Sequence, residues 1–117
     1  MWTRRLAIAA LALCAPAFSA FEHAHGEDDK RTNAMQHITK AMAIAELCPR
    51  AEVNHTMVGI VFLRRNIDAT RDEAELLAMA REHMKPLEGK SADEVCTIGL
   101  ELYGREGSKV PKLLIEK

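Results

Sequence analysis

The sequence is poor in aromatic residues, with one Trp, one Tyr and three Phe among 117 residues. That leaves little from which to build a stacking surface for bases or flat cofactors. An excess of basic charge is also missing, because 16 Lys and Arg face 17 Asp and Glu, and a nucleic-acid binder would show a basic stripe. No C-x-x-C, G-x-S-x-G, H-E-x-x-H, P-loop or C-x-x-C-H motif occurs, and no carboxylate pair stands apart from the charged helix faces. The chain is therefore read as a non-enzyme without a cofactor. Beyond the first twenty residues there is no apolar run of transmembrane length, so no membrane span is expected.

What is present begins with an export signal. Arg4 and Arg5 form a short positive region, Leu6 to Ala15 an Ala/Leu-rich core, and Ala17, Ser19 and Ala20 the small residues of a cleavage site. Cleavage after Ser19 or Ala20 removes residues 1–20 and leaves about 97 residues, one small domain. The expected location is periplasmic. Arg4 and Arg5 leave with the signal, so 14 basic residues remain against 17 acidic ones, a formal charge of −3.

Cys14 also leaves, and Cys48 and Cys96 remain as an even pair in an oxidising compartment. They are expected to be bonded to each other, closing a loop that stabilises the fold by roughly 4 kcal/mol in the chain-entropy model. A redox or nucleophilic thiol is the alternative, against which stand the missing C-x-x-C spacing and the apolar stripes on which both cysteines fall.

Residues 21–31 are polar and charged without apolar periodicity, and read as a flexible N-terminal arm. Residues 32–117 read as a single helical domain. Ala34, Ile38, Ala41, Ala45 and Cys48 recur at helical spacing, widened by Met35 and Met42, until Pro49 stops the helix. Asn54 is a good N-cap for a second helix carrying Met57, Val58, Ile60, Val61, Phe62 and Leu63. Its apolar run would also suit a buried strand, but no second strand-like segment offers to pair with it.

Thr70-x-x-Glu73 and Ser91-x-x-Glu94 read as capping boxes opening two more helices. The first of these turns Leu76, Leu77, Ala80 and Met84 inward, and the second Ala92, Val95, Cys96, Gly99, Leu102 and Tyr103, with Gly104 closing it. The fold class is all-α, a small bundle of about four short helices clasped by one disulfide. The apolar tail at Leu113, Leu114 and Ile115 is expected to pack back on the bundle.

The only metal-like cluster lies in the arm, where His23 and His25 precede Glu27, Asp28 and Asp29. If cleavage follows Ala20, the free amine, two backbone amides and His23 supply the square-planar nitrogen set that Cu(II) and Ni(II) prefer, and cleavage after Ser19 removes it. His37 and His83 read as helix-surface or interface residues, and the methionines at helical spacing as core filler.

Cys48 ahead of Thr56-Met57-Val58-Gly59 at the head of an apolar helix, with Cys96 in a later helix, resembles the HdeA-type periplasmic acid-stress chaperones. The resemblance covers about half of the mature chain. It implies a homodimer that loosens at low pH and exposes its apolar surface to unfolded clients, with Met57, Val58, Val61, Phe62 and Leu63 as that surface. Acidification takes the mature chain from −3 to about +19, and such self-repulsion opposes the compact state.

The leading expectation is thus a small periplasmic protein-binding protein, chaperone-like in its sharper form, whose partners are another protein or unfolded clients. A Cu/Ni-binding protein using the mature N-terminus with His23 and His25 is the first alternative. An accessory or inhibitor subunit docking through the Val110 to Lys117 tail is the second.

Overall fold

The computed structural model describes residues 26–117. The chain divides into two units, Met1–Lys30 and Arg31–Lys117. Of the first, residues 26–30 are described and are helical, with Lys30 and Glu27 paired at 3.8 Å. The signal-like segment 1–20, and His23 and His25, lie outside the described residues.

The larger unit opens with α1, residues 31–47, and continues through β1 (Ala51–Val53), α2 (His55–Arg65) and α3 (Glu73–Met84). A single 3₁₀ turn (Lys85–Leu87), α4 (Ala92–Tyr103) and β2 (Leu114–Glu116) follow. The fold is all-α, four helices among the described residues, with one short antiparallel pair of strands. Helix formation at residues 26–31 corrects the expectation of a flexible arm across that stretch. The ion pairs there, Glu27 with Lys30 and Arg31 with Asp72, are features that hydrophobic periodicity does not report.

The core forms on the stripes the spacing indicates. Ile38, Ala41 and Ile44 of α1 meet Val95, Cys96 and Tyr103 of α4, and Leu87, Leu113 and Leu114 close the cluster. A smaller cluster of Met35, Ile67 and Leu76 lies beside it, and Phe62 packs against both. Thr39, fully buried in α1, satisfies its hydroxyl within the helix by donating to Met35 O at 2.7 Å. Cys48 and Cys96 are bonded, with Cα atoms 5.1 Å apart and a sequence separation of 48.

The tail packs back by strand pairing. Ala51 faces Glu116, Glu52 faces Ile115 and Val53 faces Leu114, and Leu113 and Leu114 are almost wholly buried. Segment 51–53 was not legible as a strand because three residues after a helix-ending Pro49 carry no usable alternation. The connection from α4 is zipped to that helix's end, where Ser108, Lys109 and Lys112 donate backbone N–H groups to Glu101 O, Leu102 O and Gly104 O. Those bonds satisfy carbonyls that a helix C-terminus leaves open.

Two local expectations shift. Ser91 caps α4 as expected, with Glu94 N donating to Ser91 Oγ at 3.2 Å, but the Glu94 carboxylate accepts from the Ser91 hydroxyl and not from its backbone N–H, so half of the box forms. The Thr70 box does not, because Asp68 Oδ1 accepts from Thr70 N and Arg71 N and turns the chain there, so Asp72 becomes the residue before α3. Leu77, expected inside, is 43% exposed. At the end of α2, Asn66 takes the left-handed conformation (φ 53°) that Asn tolerates, and it and Ile67 donate to Phe62 O.

Breaking the disulfide without disturbing its neighbours, by reduction or by Cys48→Ala with Cys96→Ala, should cost about 4 kcal/mol in urea unfolding. The two helical glycines of α2 and α4 should respond oppositely to alanine. A Cβ at Gly99 would run into Ile44, itself fully buried, so Gly99→Ala should destabilise by ~1–3 kcal/mol. Gly59 faces open space, and Gly59→Ala should stabilise by ~0.5–1 kcal/mol. Paired melts of the two variants check both signs.

Candidate functional site

α2 is the unusual element. Its apolar run from Met57 to Leu63 contains no buried residue, and Gly59 sits mid-helix where no neighbour requires it. Three directions share its side chains. Met57 and Val61 pack on the main core, Val58 and Phe62 turn both to the core and to a groove, and Ile60 and Leu63 face outward, Leu63 being 86% exposed.

The groove has a volume of about 450 Å³ and is bounded by α1, β1, α2 and α3. Its buried depth is Ala51 and Leu76, with Val58 and Phe62 along the α2 side and Met42 and Leu77 at the more exposed edges. The periodicity of α1 and α3 hides this, because Met42 and Leu77 read as interior residues until the packing shows both partly open. Glu46, Glu52 and Glu73 also line it, with His55 and Lys117 as the basic residues. The buried depth is apolar and the five charged or titratable residues of the lining are at exposed positions, so the groove is suited to aliphatic side chains rather than to orienting a polar small molecule.

Of the five residues expected to form an interaction surface, Val58 and Phe62 therefore line the groove. Met57 and Val61 are half-buried core-facing residues, and Leu63 is exposed on another side of the helix.

A second cluster lies where α1 meets α3 and α4. Tyr103, 1% exposed and the largest fully buried side chain, is hydrogen-bonded through its hydroxyl to His37 Nδ1 at 3.0 Å, with the rings edge to face. Burial pushes the Tyr103 pKa up to about 12. His83 Nε2 donates to Gln36 Oε1 at 2.8 Å. Burial, then Lys109 and Lys40, hold the His37 pKa below its ordinary value, and burial, then Lys40 and His37, do the same for His83. Neither histidine meets a metal set, and among the described residues no three His, Cys, Asp or Glu are grouped to hold an ion.

Asp72 is the buried charge of this unit. Arg71 Nη2 and Arg31 Nη2 each lie 2.9 Å from its carboxylate, and Asp68 N donates to it. The Arg71 hydrogen bond, the Asp68 amide and then Arg31 hold its pKa well below the usual carboxylate range. One carboxylate thereby joins α1, the turn after α2 and the start of α3.

Among the described residues no helix is long and apolar enough to cross a membrane. The chain matches no family model, no curated protein and no solved structure in the comparisons made.

The direction of these shifts fixes a pH dependence. Free imidazole titrates near 6.5, and both histidines protonate at lower pH in the folded chain, so the unfolded chain binds more protons in between. Their contribution to stability is complete above about pH 7 and is lost as pH falls from the unfolded value through the lower folded one. Asp72 contributes fully above about pH 4 and its share is lost below that. Thermal melts should therefore show Tm declining from pH 8 to pH 5, with His37→Gln combined with His83→Gln flattening that decline. Asp72→Asn should lower Tm at neutral pH and converge on the parent near pH 2. A parent Tm constant from pH 8 to pH 5 would contradict the histidine part.

Proposed function

We propose that the chain is an exported protein-binding protein that holds aliphatic side chains of another protein, in the manner of a chaperone for partly unfolded clients in the periplasm. The observation that carries this reading is the apolar groove beside α2, a helix that lacks a buried anchor. A cleft with an apolar depth favours hydrophobic side chains in many sequence contexts, which suits varied clients.

Two further features support it. The single disulfide suits an oxidising compartment and keeps the core closed while the rest loosens. The depressed pKa values of His37 and His83 weaken the fold as pH drops through 6.5, in the direction that the resemblance to HdeA-type acid-stress chaperones implies. The alternative through the Val110 to Lys117 tail gains no support, since Leu113 and Leu114 are held in the core.

The test is suppression of aggregation of citrate synthase diluted from guanidinium without reductant, so that the Cys48–Cys96 bond stays intact, followed by light scattering at pH 7 and about pH 5. The protein should suppress scattering at near-equimolar ratio, more strongly at the lower pH. Met42→Asp with Leu77→Asp, both partly exposed positions of the lining, should cut suppression severalfold while Tm stays within a few degrees. Unchanged scattering at both pH values, with the protein folded, would overturn the reading.

A further inference from the structure

We infer that the segment taken by the groove is cationic as well as aliphatic, one or two Leu- or Ile-like side chains flanked by Lys or Arg. This rests on the groove being a docking site and specifies its partner. Glu46 from α1, Glu52 from β1 and Glu73 from the first turn of α3 come from three separate elements to the same apolar cleft, where His55 and Lys117 are the basic residues among those described. None of the three glutamates forms an ion pair among the described residues.

The arginines nearest in sequence are engaged elsewhere. Arg50, next to β1, is 3.6 Å from Asp93, and Arg71, two positions before Glu73, is spent on Asp72 and on Asn66 O. These carboxylates thus line a hydrophobic cleft without an ion-pair partner among the described residues. An incoming segment with basic flanks places apolar side chains against Phe62 and Leu76 while its cations meet those carboxylates. An acidic segment of the same shape meets like charge at each of them.

Solvent-exposed pairs are individually weak, so the discrimination is modest. Two to three rim contacts of ordinary strength give about tenfold in Kd at low salt. At 0.5 M salt the screening length is only a few ångströms, and the gap should narrow.

Two labelled synthetic helical peptides with the same leucine pattern, one carrying Lys and the other Glu at its polar positions, provide the probe, titrated against the full chain by fluorescence anisotropy. The Lys peptide should bind about tenfold more tightly, the gap shrinking in 0.5 M salt. Glu46→Gln with Glu73→Gln should remove most of the preference. Glu101→Gln with Glu106→Gln, exposed positions outside the groove, should leave it intact, which separates the groove from general attraction to an acidic protein.

Equal binding of both peptides, each weakened by Met42→Asp with Leu77→Asp, would overturn the cationic partner and leave the groove as an apolar dock. Absence of binding by either peptide to the folded protein would overturn the groove itself, and with it the reading on which this inference rests. A third outcome concerns a second copy, since Ile60 and Leu63 beside Arg64 and Arg65 form an exposed aliphatic and basic face on α2. Sedimentation showing a dimer that Leu63→Ser dissociates and the Lys peptide fails to compete would assign the groove to self-association and overturn the partner segment.

Discussion

The bond between Cys48 and Cys96 is the constraint on which the rest of this small unit depends. It joins the end of α1 to the buried face of α4, and Ile44, Cys48, Val95 and Cys96 there are packed with almost no exposed surface. A domain of this length buries a limited share of its apolar surface, so a covalent link across its core offsets a shortage of contacts. With α1 and α4 fixed, β1 follows directly from Cys48 and meets the returning tail. α2 can then lie over the assembly with only half-buried contacts.

Most of the helical frame was legible in the sequence because it is carried by short-range signals. Asn54 and Ser91 cap helices where local hydrogen bonding dictates, and the stripe through Ile38, Ala41 and Cys48 is buried as its period requires. What was not legible depends on distant partners. The helical character of residues 26–31 has no apolar period. The strand 51–53 exists because residues 114–116 reach it, and the start of α3 moved from the Thr70 box because Asp68 claimed the intervening amides. Of the site, the apolar character of α2 was visible but the direction each side chain takes was not. Met42 and Leu77 were indistinguishable from core residues until packing left one side of each open.

The two histidines and Asp72 divide the electrostatic work between different parts of the unit. His37 and His83 lie at the junctions of α1 with α4 and α3, where added charge meets Lys40 and Lys109, while Asp72 ties α1 to the turn before α3. Acid therefore acts on the packing between helices before it reaches the carboxylate node. The groove lies among α1, α2 and α3, so its walls are set by contacts that respond to pH, whereas the disulfide that holds α1 to α4 does not titrate.

The strand pair has a temporal meaning as well as a spatial one. Val53 waits for Leu114, and Ala51 for Glu116, partners separated by nearly the whole of the helical unit. A chain growing from its amino end passes through a long interval in which α1, α2 and α3 have been made but the lid over their shared core has not, since Leu113 and Leu114 arrive last. Non-local closure of this kind is slow relative to helix formation. The apolar cleft, one wall of which is β1, acquires its final shape only with that closing step.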